Sequence, residues 1–131
     1  MSGLILKLQP NERVLINGAV VENLDRRCKL SILTPKVNVL RLRDAIHPND
    51  ANTPVKSLCY LIQLVISGDA EVIEVMSRVL TKIDELETVF RSGEPHHALD
   101  LARGAIMRGH YYQGLRAARS LIPYESALLT Q

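Results

Sequence analysis

The feature of this sequence that most restricts its fold is a change in the spacing of its apolar residues near position 50. Before that point, apolar and polar residues alternate, as they do along a strand with one buried face. After Thr53-Pro54, apolar residues recur every three or four positions, which is typical of amphipathic helices. The sequence therefore predicts an α+β fold in a single domain of residues 1–131, with a small antiparallel sheet in 1–50 and about four helices in 53–131.

Turn residues separate the predicted strands. Residues 10–12 contain proline and asparagine, and Asn17-Gly18 favours a tight hairpin because both residues tolerate positive φ. Pro35 separates the two later strands, since proline cannot donate to a central ladder. In the last strand, the two-residue period would place Arg41 and Arg43 on one face. The predicted strands are residues 4–8, 13–16, 28–33 and 37–43.

The helices are predicted from their ends as well as from their apolar stripes. Thr53 can cap exposed amides, and Pro54 is well suited to the first helical position. Gly109 stands where a helix would end in a left-handed C-cap, and Pro123 lies at or just beyond the last helix. The chain after Pro123 can add a turn. The first predicted helix runs from Pro54 to about Ser67-Gly68, and the second restarts at Asp69, carries an apolar stripe over residues 72–90 and ends near Arg91-Ser92-Gly93. The third runs from about Pro95 to Arg108 and the fourth from Tyr111 to about Leu121.

Charge is distributed unevenly along the chain. The net charge is only +2, but residues 1–50 hold eight Lys and Arg against five acids, and residues 51–95 hold four against seven. A basic sheet could contact phosphates, and arginine can also bond base edges. Alternatively, the sole role of Arg41 and Arg43 could be to keep an edge strand soluble. The spacing of the residues leaves both interpretations open.

The sequence offers little support for an enzyme. His47, His96, His97 and His110 lack the spacing of metal ligands, and no glycine-rich phosphate loop is present. Cys28 and Cys59 form no Cys-x-x-Cys motif, so we expect two buried free thiols and no cofactor. The five aromatic residues lie in or beside predicted helices, where core packing is expected, so a platform of stacking aromatics is not predicted.

Other features of the sequence bear on location. The composition, 47% hydrophobic and 23% charged, is ordinary for a soluble globular protein. No apolar run approaches the roughly 18 to 20 residues that cross a bilayer. The N-terminus does not resemble an export signal. We therefore expect a cytoplasmic protein that does not bind membranes.

At Pro10–Val20, His47–Pro54 and Gly109–Glu125, three blocks of the sequence resemble the FlbT family, regulators of flagellum biosynthesis in alphaproteobacteria. The first is Pro-x-Glu-Arg-x-x-Ile-Asn-Gly-Ala-Val from Pro10 to Val20, and the second is His-Pro-Asn-Asp-Ala-Asn-Thr-Pro from His47 to Pro54. The third runs from Gly109 to Glu125 and begins Gly-His-Tyr-Tyr-Gln-Gly-Leu-Arg. The resemblance implies post-transcriptional control: binding to the 5′ untranslated region of flagellin mRNA, which limits translation and promotes decay.

The N-terminal segment is also similar in layout to the small RNA-binding regulator CsrA. The similarity comprises Leu4 to Leu6, Glu12, Ile16-x-Gly18, Pro35-Lys36 and Arg43-x-x-Ile46. It implies that the first strand and the strand ending at Arg43 form an RNA-binding face of a homodimer. The spacing from Pro35 to Arg43 is one residue longer than in that family, and long helices replace its single short one. With the other basic residues of the sheet, the candidate RNA-binding residues are Leu4, Lys7, Arg13, Lys36, Arg41 and Arg43.

A protein-interaction adaptor is the alternative function. The apolar stripe of residues 72–90 is wide enough for part of it to bind a partner or a second copy of the chain. Met76, Leu80 and Ile83 lie along that stripe. The partners implied by the FlbT resemblance are the flagellar regulator FlaF or flagellin itself.

Overall fold

Five β-strands precede five α-helices in the computed structural model, which describes residues 4–17, 19–35 and 37–130. The strands are β1 (Leu4–Leu8), β2 (Arg13–Ile16), β3 (Ala19–Glu22), β4 (Cys28–Ile32) and β5 (Val39–Arg41). The helices are α1 (Pro54–Ser67), α2 (Val72–Glu87), α3 (Gly93–Met107), α4 (Tyr111–Arg119) and α5 (Ile122–Leu129). Two 3₁₀ turns, Leu42–Asp44 and Pro48–Asp50, connect the strands to the helices. This order confirms the predicted α+β fold.

The strands form two antiparallel sheets rather than one. β1 pairs with β4, with Leu6 opposite Leu30, and β2 lies between β3 and β5. Ile16 is opposite both Ala19 and Val39, so the chain reverses its direction between Ile16 and Ala19, as predicted. Asn17 has a φ of 49°, the positive φ that this turn needs; Gly18 lies outside the described residues.

Strand β5 contributes to two separate cores because its successive side chains point to opposite faces. Val39 is buried with Leu6, Leu8 and Val14 between the two sheets. The next residue, Leu40, is buried among the helices, in a core built mainly from α1, α2 and α3. This short strand therefore fixes the position of the sheets relative to the helices.

Strand β5 is shorter than the predicted strand of residues 37–43, so that prediction is wrong at both ends. The strand ends at Arg41, and Leu42–Asp44 forms a 3₁₀ turn instead. Val14 of β2 is opposite Arg41, and β2 has only one residue, Arg13, beyond Val14. A longer β5 would therefore have almost no β2 backbone left to pair with. The Arg119 guanidinium also donates to the Asp44 carbonyl at 2.8 Å and holds the turn.

The start and end of α1 follow the predicted signals. The Thr53 hydroxyl accepts a hydrogen bond from the Lys56 amide at 3.3 Å, and Pro54 is the first helical residue. Gly68 ends the helix with a φ of 83°, a conformation that L-residues with a side chain rarely adopt. None of the described helices is long and apolar enough to span a membrane.

Helix α5 is the main element that the sequence prediction missed. Pro123 lies in the first turn of this helix and does not follow the end of the last one. Glu125 is buried: its carboxylate accepts a hydrogen bond from the Thr53 hydroxyl and another from the Val55 amide at 2.9 Å. A carboxylate at this end of α1 is favoured because the free amides there carry partial positive charge. Glu125 thus attaches the C-terminal helix to the start of α1.

The two cysteines differ in their surroundings. Cys59 is fully buried in α1, as predicted, and burial raises the pKa of its thiol to about 12. Cys28 is only half-buried, so the prediction of a buried thiol is wrong for it. Its Sγ lies 3.3 Å from Asn23 Oδ1 and donates a hydrogen bond to it.

Candidate nucleic-acid interface

A groove of about 440 Å³ lies between the sheets and α4, and most of its polar side chains are cationic. We call it the basic groove. One wall is formed by residues 4–7 of β1, and the floor by Arg41, Arg43 and Asp44 at the end of β5. The other wall is formed by Tyr112, Arg116 and Arg119 of α4.

A buried carboxylate lies beside two of these arginines. The Glu12 side chain is only 6% exposed, and its Oε2 lies 3.5 Å from Arg41 Nε and 3.7 Å from Arg43 Nε. Its Oε1 accepts a hydrogen bond from the Gln9 amide at 2.9 Å. Glu12 therefore holds both arginines at the groove although they are not on one face of a strand.

Arg41 and Arg43 differ in what they can offer to a ligand. The Arg41 side chain is 11% exposed, is paired with Glu12 and donates to the Lys7 carbonyl at 2.5 Å. Arg41 therefore links β5 to β1 and does not act as an exposed charge on an edge strand. The Arg43 side chain is 56% exposed, so its guanidinium can reach a ligand.

The α4 wall was missed by sequence analysis. Tyr112, Arg116 and Arg119 are spaced by four and three residues, which places them along one face of a helix. The opposite face packs at Gly114 against α3, where an ideal Cβ added to this glycine would lie 2.7 Å from Ile106 Cδ1. This spacing was present in the sequence. What the sequence could not supply is that α4 faces β1.

The structure brings four of the six predicted RNA-binding residues together. Leu4, Lys7, Arg41 and Arg43 line the basic groove. Arg13 does not line it; it is exposed and lies 3.9 Å from Glu22 across the β2–β3 pair. Lys36 lies outside the described residues. Tyr112 was expected to pack in the core, but it is only half-buried and lines the groove.

The charges of the groove favour an anionic ligand. Five cationic side chains line it: Lys7, Arg41, Arg43, Arg116 and Arg119. Only two carboxylates oppose them, Asp44 in the lining and Glu12 beside it, so an excess of three positive charges remains. A concave surface of one sign attracts ligands of the opposite sign, and arginine binds phosphate and carboxylate groups through pairs of strong hydrogen bonds.

The apolar stripe of residues 72–90 is used mostly for the internal core. Ile83 is fully buried, with Val75, Val79 and Leu86 also buried, and Met76 packs against the same cluster. The exposed apolar side chains of this segment include Ile73, at 88% exposure, and Val89. Binding of a protein partner and formation of a homodimer stay predictions.

The four histidines lie in three places: His47 before the second 3₁₀ turn, His96 and His97 in α3, and His110 before α4. His47 precedes the second 3₁₀ turn, and its Nδ1 accepts from the Asn49 amide at 3.1 Å. His96 lies in α3 with its Nδ1 3.1 Å from the Phe90 carbonyl oxygen. Within residues 4–17, 19–35 and 37–130, no three His, Cys, Asp or Glu side chains are grouped as metal ligands would be.

Known proteins match nearly the whole chain. The family model described as "Flagellar protein FlbT" matches residues 4–129. A protein of Bradyrhizobium diazoefficiens, "Probable flagellum biosynthesis repressor protein FlbT 1", is 33% identical over 127 residues, 96% of this chain and 84% of its own. "Flagellum biosynthesis repressor protein FlbT" of Caulobacter vibrioides is 30% identical over 124 residues, 95% and 87% of the two chains. No solved structure matches. The family and its relatives confirm the resemblance carried by the three blocks.

Proposed function

The chain belongs to the FlbT family of flagellar proteins, and we propose that it is a cytoplasmic repressor of flagellum biosynthesis that acts on flagellin mRNA. In this proposal it binds the 5′ untranslated region of the message in the basic groove and represses translation or promotes decay. The names of the relatives support a repressor. The observation that supports an RNA ligand is the groove's excess of positive charge.

The proposed mechanism is occlusion of the leader. Lys7, Arg43 and Arg116 neutralise phosphates, because their charged ends are the ones least committed to other groups of the protein. Leu4, at the mouth of the groove and 40% exposed, contacts a base. A leader held in this way is inaccessible to the ribosome, and repression by occlusion needs no catalytic step.

The most informative variant removes groove charge without disturbing the fold. Arg41 is unsuitable, because its removal would leave the buried Glu12 carboxylate with only the more exposed Arg43 as a cationic partner, and removing one partner of a buried ion pair costs up to about 3–5 kcal/mol. Arg43 and Arg116 are exposed, so Arg43→Gln with Arg116→Gln should fold normally. Arg13→Gln is the control, since it removes an exposed arginine of β2 that does not line the groove.

Filter binding to the flagellin leader at several salt concentrations measures the effect. The double variant should bind more weakly, and the slope of log affinity against log salt should fall by about 1.4, or roughly 0.7 for each phosphate contact on a single strand. Arg13→Gln should bind as the unmodified protein does. Equal affinities and slopes for all three proteins would rule out the groove as the RNA site and favour the adaptor.

A further inference from the structure

In the described part of the chain, three of the five cations of the basic groove have side chains that make at most one polar contact. Arg41 and Arg119 are held by carboxylate and carbonyl groups of the chain itself. Among the residues that the structure describes, the Lys7 and Arg116 side chains make no hydrogen bond or ion pair, and Arg43 is paired only with Glu12, at 3.7 Å, and stays 56% exposed. Charges left unpaired in a concave surface are suited to phosphate.

Tyr112 adds an aromatic ring to this cationic surface. It lies one helical turn before Arg116 on the same face of α4, and both side chains line the groove. The neighbouring Tyr111 packs against the helical core, whereas Tyr112 is not part of that cluster. An aromatic ring among cations is the combination with which proteins hold unpaired bases, the ring stacking on the base and the cations binding its phosphates.

The size of the groove limits the form of RNA that could use this ring. A volume of about 440 Å³ falls in the usual range of small-ligand pockets, about 300–1,000 Å³. A groove of this size can accommodate a single nucleotide. In a duplex the bases are paired and stacked, so none of them could reach Tyr112, and double-stranded RNA is read instead over two successive minor grooves.

A pair of lysines extends the cationic surface beyond the groove. Lys7 lies directly opposite Lys29 in the β1–β4 pair, although like charges in that position destabilise a sheet. Both lysines also line a second hollow, of about 360 Å³, together with Arg27. A phosphate bound between the lysines would relieve their repulsion. Because Lys7 lines both concave surfaces, one strand of RNA could pass from the first to the second.

We propose that the basic groove binds one unstacked nucleotide of a single RNA strand, with its base on Tyr112. The strand continues across β1, and a neighbouring phosphate binds between Lys7 and Lys29. This inference rests on the proposed function and adds to it the form of RNA that is recognised. It assigns roles to Tyr112 and Lys29, which the sequence did not single out.

Fluorescence anisotropy with two labelled RNAs tests the stacking. One is a short single strand from the leader, and the other is the same strand annealed to its complement. Tyr112→Leu should weaken binding of the single strand about 5- to 150-fold, the equivalent of losing one stacked base. Tyr112→Phe keeps the ring and should bind as the unmodified protein does. The duplex should bind more weakly and should not respond to either substitution.

Salt titrations with the single strand test the path across β1. Lys29→Gln should lower the salt slope by about 0.7, and this exposed substitution does not endanger folding. The matched control is Arg91→Gln, since Arg91 is exposed between α2 and α3 and lines neither hollow. The proposal is overturned if Tyr112→Leu, folded by circular dichroism, binds the single strand undiminished, or if the duplex binds equally well.

These outcomes can be told apart from a failure of the proposed function. A scrambled single strand that binds as tightly as the leader, but still depends on Tyr112, would support the nucleotide site and contradict leader-specific repression. Leader-selective binding that Tyr112→Leu leaves unchanged would support leader-specific repression and contradict the nucleotide site. If neither RNA binds at all, both proposals are wrong.

Discussion

The contact between α3 and α4 gives a sharp prediction, because α4 carries one wall of the basic groove. An ideal Cβ at Gly114 would lie 2.7 Å from Ile106 Cδ1 and 3.0 Å from its Cγ1, and real Cβ atoms essentially never come closer than 3.0 Å to a neighbour. Ile106 is buried and cannot move aside freely. Gly114→Ala should therefore force the two helices apart, at a cost of about 1–3 kcal/mol for an overpacked core.

Gly104→Ala is the matched control for this substitution. Gly104 is a helical glycine as well, in α3, but the nearest neighbour of its ideal Cβ is the flexible end of Arg108, with Nη1 at 3.2 Å. Both substitutions gain the helix preference of alanine over glycine, about 1 kcal/mol. That gain cancels in the comparison. The difference between the two variants is then the packing cost itself, about 1–3 kcal/mol, or roughly 3–15 °C in melting temperature for a domain of this size.

Thermal and urea unfolding of both variants measure this difference. Gly104→Ala should be at least as stable as the unmodified protein, and Gly114→Ala clearly less stable than Gly104→Ala. Adding Ile106→Val to Gly114→Ala removes the atom at 2.7 Å, so the pair should be more stable than the sum of the single changes predicts. Equal stability of the two alanine variants would refute the close packing of α3 on α4.

Two further predictions concern α1. Glu125→Ala removes two hydrogen bonds to a buried carboxylate, each worth about 1.5–3 kcal/mol. Urea unfolding should therefore show a destabilisation of about 3–6 kcal/mol. The control Glu74→Ala, at an exposed position, should change stability little. Burial raises the pKa of Cys59 from 9.0 to about 12, so the unfolded chain loses this proton first and the thiol's contribution to stability falls as pH rises from about 9 towards 12. A thiol reagent at pH 8 should label Cys28 in the native protein and reach Cys59 only on unfolding; equal labelling rates would contradict its burial.

The sequence predicted those elements whose signals are local. Thr53-Pro54 marked the start of α1 and Gly109 the end of α3, because capping and positive φ depend on the residue at that position. The hairpin at Asn17 was found for the same reason. Helix α5 was missed because it depends on a distant contact, the hydrogen bonds from the start of α1 to Glu125, which no local pattern shows.

The same distinction applies to the basic groove. Leu4, Lys7, Arg41 and Arg43 were found from the charge of the sheet and from the resemblance to CsrA. Alternation predicted that both arginines project together, but what holds them at the groove is the buried Glu12, far away in sequence. The residues of α4 join the groove through tertiary packing alone, which a period of 3.6 residues does not reveal.

Direct binding of the flagellin leader is the step on which the proposed function depends, and one titration tests it. The purified protein is titrated with the leader RNA and with a scrambled RNA of the same length and composition, at two salt concentrations. Direct recognition predicts binding that is tighter for the leader and that weakens as salt rises, since groove cations displace counterions from phosphates. Equal, weak binding to both RNAs would contradict direct recognition and would mean that any control of flagellin messages passes through a protein partner.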